Sequence, residues 1–107
     1  MSQRESKLSR EIMTKLRLEG AFCFKVHGSE FMMAGLPDII GVYRGYFFAF
    51  ETKMPTDRGN TSPRQVRVHE LIRAAGGLCR VICSAAEALR YLSEIDDAPA
   101  IEQWADD

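Results

Sequence analysis

Three charged residues lie at the ends of two short apolar segments, where they could do chemistry together. Asp38 begins the first segment, residues 38–43, and Glu51 and Lys53 follow the second, residues 46–50. Two carboxylates are suitable ligands for a hard divalent cation, and a lysine ammonium can contact a phosphate or a water beside it. The three side chains can work together only if the fold brings Asp38 to Glu51.

The two segments predict a β-hairpin, which would make that contact. Both are short and rich in Ile, Val, Tyr and Phe, and Arg44-Gly45 separates them. Counting back from a two-residue turn places Asp38 opposite Glu51, and Lys53 shares the face of Glu51. Opposed carboxylates repel, and a bound divalent cation would offset the repulsion. Arg-Gly is not the favoured Asn-Gly turn, and a one-residue slip would separate the two acids.

Bulk composition indicates one soluble globular domain. The chain has 107 residues, 46% hydrophobic and 27% charged, with no apolar run near the ~18 residues that cross a bilayer. Its first residues show no apolar secretory segment, so we expect a soluble protein of the cytoplasm. The three cysteines lie in apolar runs without a Cys-x-x-Cys pair, which favours buried free thiols.

The charge is distributed unevenly. From residue 94 onward there are six acids and no Lys or Arg, whereas the first 93 residues carry 14 basic and 9 acidic side chains. A mildly basic body fits a phosphate-rich partner, although an ordinary solvated surface explains it equally well.

The pattern along the chain predicts an α/β fold, with residues 1–96 as a single domain and 97–107 as an acidic tail. Apolar spacing and caps predict helices over residues 3–19, from Ser62 to Gly76, and after Ser84. Strands are expected at residues 21–26 and 78–83, besides the hairpin. The hairpin is apolar on both faces, so helices should cover both. The last two strands, joined through a helix, should be parallel in a mixed sheet. The apolar side of the second helix, which should face the core, is formed by Val68, Leu71, Ile72 and Ala75.

This arrangement resembles the PD-(D/E)XK nuclease superfamily, which has an αβββαβ restriction-endonuclease-like core. It looks most like the VRR-NUC branch, whose small stand-alone members resemble Holliday-junction resolvases. The likeness covers about residues 8–93 and is carried by Gly35-x-Pro37-Asp38, Glu51-Thr52-Lys53 and a later helical Gln65.

The resemblance implies a metal-dependent, structure-selective DNA endonuclease that hydrolyses phosphodiester bonds, for example in Holliday junctions. Mg²⁺ or Mn²⁺ would be held by Asp38, Glu51 and the backbone carbonyl of Thr52. Lys53 would contact the attacking water or the scissile phosphate. Two helical residues complete the implied site, Glu11 near the metal and Gln65 near the lysine or the substrate.

DNA and a second copy of the chain are the expected partners. Arg58, Arg64 and Arg67 follow the motif and are candidate phosphate contacts, which position DNA without reading its sequence. Lys25 and Lys7 are further candidates, and Gly28-Ser29 resembles a polar loop that lies near the site in relatives. Resolvases are twofold dimers, so a homodimer is expected, with surplus apolar residues for its interface: Phe31, Met32, Met33 and Trp104.

Several alternatives stay open. Asp38 could merely begin a turn, and Glu51 with Lys53 could be a solvated pair. Gln65 is also the third residue of a capping box with Ser62, and both of its roles could hold.

Other residues could take some of these roles. Glu5 and Glu19 compete with Glu11, and His27 and His69 are expected to be structural or surface residues. The chain could also be a non-catalytic DNA-binding scaffold, or a nuclease acting on linear DNA, single-stranded DNA or RNA.

Overall fold

A computed structural model describes residues 2–28 and 32–102 of the chain. The elements follow the predicted αβββαβ order with a further helix at the C-terminal side, which confirms the α/β class. A short 3-10 helix, Pro55–Asp57, follows the third strand. The other elements are α1 (Gln3–Leu18), β1 (Phe22–Lys25), β2 (Ile39–Tyr43), β3 (Tyr46–Thr52), α2 (Pro63–Ala74), β4 (Leu78–Ile82) and α3 (Ala85–Asp96).

The four strands form one mixed sheet in the order β1-β2-β3-β4. β1 with β2 and β2 with β3 are antiparallel, whereas β3 and β4 are parallel, as expected for strands joined through a helix. α1 and α3 contact each other and cover one face, and α2 packs against β4 on the other. The mixed sheet with helices on both faces is therefore confirmed.

The β2–β3 hairpin has the predicted register. Tyr43 pairs with Tyr46, and the ladder continues to Ile39 opposite Phe50. Arg44 and Gly45 both have positive φ, 53° and 88°, as the two central residues of a type I′ turn require. The turn is thus two residues long despite lacking the favoured asparagine.

The main core lies between the sheet and the pair α1–α3. Phe48 and Phe50 are fully buried there, with ring centroids 5.2 Å apart. Gly41 permits this packing, because a Cβ on it would lie 2.5 Å from the Phe48 ring and 2.3 Å from the Phe22 carbonyl oxygen. Other buried members of this core are Ile12, Met13, Leu16, Cys23, Ile39, Ile82, Ala88, Leu92 and Ile95.

The second face of the sheet is only half covered. Ala49 on β3 and Cys79 on β4 are fully buried, but Phe22 is 70% exposed and Val42 is 45% exposed. Phe22 pairs with Val42, and Phe24, which pairs with Ile40 two residues further along, is 47% exposed as well. The expectation that helices cover both faces of the hairpin is therefore wrong for β2, because α2 packs against β4 at the other side of the sheet.

α2 also presents a slightly different stripe from the predicted one. Val68 and His69 are buried and Ile72 is half-buried, whereas Leu71 is 48% exposed and Ala75 is exposed. A helix with 3.6 residues per turn puts positions 68, 69 and 72 on one side, with 71 and 75 beside it. The prediction of Leu71 and Ala75 as inward residues is corrected accordingly.

The three cysteines are buried free thiols, as predicted. Burial raises the pKa of each, and that of Cys79 to about 11. None of the helices in the described part of the chain is long and apolar enough to span a membrane.

Candidate active site

The two predicted carboxylates meet at the end of the hairpin away from its turn. Asp38 stands one residue before β2, and Glu51 lies near the end of β3; they are 8% and 7% exposed. The main chain holds Asp38 from both sides: its carbonyl accepts the Val26 N–H at 2.7 Å, and its Oδ1 accepts the Thr52 N–H at 2.6 Å. The carboxylate of Asp38 is therefore fixed across the end of the sheet.

The electrostatics of Glu51 show that the acids are close. Burial, followed by the charge of Asp38, raises the pKa of Glu51 to about 7. The ammonium of Lys53 and a backbone hydrogen bond from Asp38 act in the opposite direction. At neutral pH the Glu51 carboxyl is thus near the midpoint of its titration, as expected for a buried acid beside another negative charge.

Buried polar atoms without a hydrogen-bond partner concentrate at this end. Among the described residues they are Asp38 Oδ2, Glu51 Oε2, Thr52 Oγ1 and His69 Nε2. Leaving such a group unpaired costs about 1–3 kcal/mol, so native proteins keep few of them. Such oxygens beside two carboxylates suit the binding of a cation, and Asp38 Oδ2 already faces one, since Lys25 Nζ lies 3.4 Å away.

Lys25 lies inside the site. Its side chain is 17% exposed, and its Nζ is 3.4 Å from Asp38 Oδ2 and donates to Ser9 Oγ at 2.6 Å. The predicted phosphate contact therefore makes an ion pair with the first candidate metal ligand. Its contact with DNA stays a prediction.

Lys53 continues the edge formed by β3. Its N–H donates to the Ile82 carbonyl at 2.9 Å, which extends the parallel pairing by one residue. The Lys53 charge lowers the pKa of both Glu51 and His69, so its ammonium lies near both side chains.

His69 lies near Lys53, although the sequence favours a structural or surface role for it over contact with substrate. It is 2% exposed, and burial, then the charges of Arg73 and Lys53, lower its pKa. Its imidazole is therefore neutral at pH 7. The spacing in the sequence could have indicated this position, because His69 follows Gln65 by four residues and the two therefore lie on one side of α2.

Gln65 forms the predicted cap. Its N–H donates to Ser62 Oγ at 3.2 Å, and its Oε1 accepts the Ser62 N–H at 2.9 Å, which closes a capping box. The capping role is confirmed. A catalytic role for Gln65 stays a prediction.

Glu11 lies on the exposed side of α1, whereas Ser9, two residues earlier, is fully buried against Lys25. Residues two apart on a helix point in widely different directions. The metal-binding role of Glu11 stays a prediction, and Glu5, which is half-buried, is the α1 acid whose charge raises the pKa of Glu51.

The predicted arginines lie on the surface around the start of α2. Arg58 pairs with Glu87, and Arg67 lies 3.8 Å from Glu70. Arg64 is exposed, and a Cβ on Gly35, just before the motif, would lie 2.8 Å from the Arg64 carbonyl oxygen. The loop before Asp38 thus packs against the first turn of α2. The prediction for Ser29 lies outside the described residues, as do Phe31 and Trp104.

The donor set suits a hard cation. In the described part of the chain no three His, Cys, Asp or Glu side chains converge as a ligand set, which leaves Asp38 and Glu51 as the carboxylate pair. Mg²⁺ is commonly bound by one or two carboxylates, with water and substrate phosphate completing its shell.

A cleft of about 610 Å³ leads to Asp38 from the α1 side. Its walls include Ser6, Arg10, Lys25 and His27. The cleft thus has hydroxyl and cationic groups next to the carboxylate, together with the apolar side chains of Met13 and Val26.

Comparison with solved structures identifies the fold. A structure described as a VRR_NUC domain matches with a TM-score of 0.65 and 23% identity, over 86% of this chain and 97% of that one. The Holliday junction resolvase Hjc of Archaeoglobus fulgidus matches with a TM-score of 0.55 and 19% identity, over 74% of this chain and 67% of that one. No family model matches the sequence, and no curated protein does. The chain thus has the VRR-NUC fold, consistent with the resemblance of its motifs.

Proposed function

We propose that this chain is a VRR-NUC-type, divalent-metal-dependent DNA endonuclease that hydrolyses phosphodiester bonds in branched DNA such as Holliday junctions. One observation carries the proposal: the buried, unpaired polar atoms gather where Asp38 and Glu51 meet beside Lys53. The likeness of the fold to a VRR_NUC domain and to a resolvase supports the same conclusion.

Asp38, Glu51 and the backbone carbonyl of Thr52 would hold Mg²⁺ or Mn²⁺. When bound, the ion supplies a water that is nucleophilic at neutral pH and offsets charge on the phosphate. Asp38 is preorganised for its role because Thr52 fixes one of its oxygens. Glu51 must give up its proton to become a ligand, and its pKa of about 7 allows this at physiological pH.

Lys53 is the cationic group for the reacting phosphate. An ammonium next to the carboxylates can stabilise negative charge that develops in the transition state, or orient the attacking water. His69 and Gln65 approach from α2. The neutral imidazole offers an unpaired Nε2, and Gln65 retains its side-chain amide for substrate while its oxygen caps the helix.

The surrounding surface would bind the DNA backbone. Arg64, at the start of α2, packs against Gly35 of the loop that precedes Asp38, and Arg58 and Arg67 flank Arg64 in sequence. Contacts of this kind fix position through phosphates, which fits selection of DNA by shape. Lys25 and Ser29 remain further candidates for this surface.

A homodimer in the cytoplasm completes the proposal, since a four-way junction offers two strands to cut symmetrically. Met32 and Met33 are 43% and 65% exposed, as an interface on this loop would require. The exposed sheet face with Phe22 and Phe24 is a second apolar surface that a twofold partner could cover.

The test is cleavage of a synthetic four-way junction beside a linear duplex, single-stranded DNA and RNA of matched sequence. We expect cutting of the junction with Mg²⁺ or Mn²⁺, and none in chelator. Lys53→Ala should abolish cutting, whereas Lys15→Ala, on the exposed side of α1, should not. Activity that survives Lys53→Ala or persists in chelator contradicts the proposal, and DNA binding without cutting under any condition identifies a scaffold.

Gln65→Glu separates the two roles of Gln65. Glutamate at the third helical position also forms a capping box, so stability should be kept. A large loss of junction cleavage at unchanged melting temperature assigns Gln65 a role beyond the cap. Unchanged cleavage limits Gln65 to capping.

A further inference from the structure

The Lys25 ammonium occupies the side of Asp38 that the proposed metal site would use. Asp38 Oδ1 is engaged by the Thr52 N–H, and Lys25 Nζ lies 3.4 Å from the other oxygen, Oδ2. We propose that Lys25 is an internal counter-charge that competes with the divalent cation for Asp38 and thereby lowers the metal affinity of the DNA-free protein. This inference rests on the proposed function, since it assumes that Asp38 is a metal ligand.

The position of Lys25 is built into the fold. Its Nζ donates to Ser9 Oγ at 2.6 Å, and Ser9, which is fully buried, donates in turn to the Ser6 carbonyl at 3.1 Å. β1 also pairs Lys25 with Ile39, the residue after Asp38. An ammonium held by a buried hydroxyl in α1 and by strand register is not an ordinary mobile surface charge.

The charges at the site balance. When both carboxyls are ionised, Asp38 and Glu51 contribute two negative charges, and Lys25 and Lys53 contribute two positive ones. A divalent cation entering this site meets no net attraction from the four side chains. Charges separated by a few Å with little solvent between them are weakly screened, so the two ammonium groups directly oppose a metal.

A DNA phosphate changes that balance. Each phosphodiester adds one negative charge, so metal binding should become more favourable once a backbone phosphate lies beside Lys25 and Lys53. Metal and DNA would then bind with positive coupling, and by linkage each would raise the affinity for the other by the same factor. Lys25 is thus a positioning and affinity-setting residue rather than a catalytic one.

The test is calorimetric titration of the DNA-free protein with Mg²⁺ and with Mn²⁺. Lys25→Met and Lys25→Gln both remove the charge, and glutamine keeps a hydrogen-bond donor for Ser9. Both should bind metal about tenfold more tightly than the wild type, since one neighbouring unit charge commonly changes affinity on that scale. Lys25→Arg keeps the charge and should bind like the wild type. Lys15→Met, an exposed α1 control, makes the same change in net charge without an effect.

The outcomes distinguish a failure of the counter-charge role from a failure of the metal site. Equal or weaker metal binding in Lys25→Gln, with wild-type binding still abolished by Asp38→Asn, overturns the counter-charge role and leaves the metal site standing. Metal binding that is insensitive to Asp38→Asn in every variant overturns the proposed site instead. If Lys25→Met does not fold, as judged by circular dichroism, Lys25→Gln decides alone.

A second measurement tests the coupling. Both proteins carry Lys53→Ala, so that neither should cut DNA, and one of them also carries Lys25→Met. Adding a four-way junction should increase the Mg²⁺ affinity more in the protein that keeps Lys25. Equal tightening in the two proteins overturns the coupling.

Discussion

The two ends of the β2–β3 hairpin treat polar groups in opposite ways. At the turn, the Tyr43 hydroxyl and Arg44 Nη1 donate to Asp96 Oδ1 at 2.8 and 2.9 Å, and these side chains are exposed or half-exposed. At the other end, Asp38 and Glu51 are more than nine-tenths buried, and each has an oxygen without a hydrogen bond.

The difference separates stability from function. Exposed, hydrogen-bonded groups such as Asp96 fix the hairpin against the end of α3 at little cost. Buried carboxylates that each keep an oxygen without a hydrogen bond lower stability, because the folded protein must hold charge away from water. Under the proposed function, the second arrangement serves to bind a metal ion. Making the same substitution at each end of the hairpin, and comparing the effects, tests this difference.

The largest expected effect is on cleavage. Asp38→Asn keeps an acceptor for the Thr52 N–H but removes the carboxylate charge, and we expect junction cleavage to fall by about 10²–10³-fold. Asp96→Asn makes the same chemical change at the turn and should leave the rate within about twofold, because in the described part of the chain the Asp96 carboxylate accepts hydrogen bonds from Tyr43 and Arg44, at the turn. Equal losses in the two variants would remove the functional distinction.

The next effect is on stability and its pH dependence. Glu51 has a folded-state pKa of about 7, raised from 4.5, so the folded protein binds the proton more tightly than the unfolded chain. The contribution of Glu51 to the free energy of unfolding is therefore fully present below pH 4.5 and is lost as the pH rises from there through about 7. Without metal, Glu51→Gln should be more stable than the wild type at pH 8 by roughly 3 kcal/mol, and by little at pH 4.

Urea unfolding of both proteins between pH 4 and pH 8 measures this difference. Under the proposed function, saturating Mg²⁺ at pH 8 should shrink it by favouring the ionised wild type. A pH-independent difference would contradict the placement of Glu51 as a buried, ionisable group.

A smaller effect is expected from the backbone of the turn. Gly45 has φ of 88°, and a Cβ there would lie 2.9 Å from the Ile101 Cβ. Gly45→Ala should reduce the free energy of unfolding by about 1–2 kcal/mol, because alanine is strained in the left-handed region. Metal affinity should not change. Altered metal binding in this variant would show that the two ends are coupled.

The smallest effect concerns the exposed ion pair. Asp96→Ala removes the acceptor of Tyr43 and Arg44 and should lower the melting temperature by less than about 4 °C, since exposed pairs contribute little. The loss should diminish further in high salt. A fall larger than that of Gly45→Ala would indicate that the turn depends on this pair.

The hairpin was predictable because two local rules fix it. Two short apolar segments and the two-residue turn between them leave one register, and it is the observed one, from Tyr43 opposite Tyr46 to Ile39 opposite Phe50. The caps at Ser2, Ser62 and Ser84 follow from equally local patterns. The order of elements and the parallel β3–β4 pair followed from these.

The walls of the site were less predictable because they depend on which side of each helix docks. Glu11 follows the apolar residue Leu8 by three, but the inward stripe of α1 includes the small polar Ser9, which receives Lys25. His69 replaces Leu71 on the inner side of α2 for the same kind of reason. Helical periodicity gives the spacing of a stripe and does not choose among adjacent stripes of mixed polarity.

The sequence also did not predict how much of the sheet the helices cover. Phe22 and Phe24 alternate with Cys23 and Lys25, so two faces of β1 could be assigned, but nothing local says which face meets a helix. The structure buries Cys23 and leaves both phenylalanines exposed. That outcome is set by the position of α2 against β4, a contact between distant parts of the chain.

The hydrogen bond from the Thr52 N–H to Asp38 Oδ1 gives the protein a built-in spectroscopic probe. A backbone amide that donates at 2.6 Å to a carboxylate, instead of to a carbonyl, feels every change in that carboxylate's charge. Its proton chemical shift in an isotope-labelled sample would follow Asp38 through protonation, metal titration and DNA addition with no mutation or label at the site.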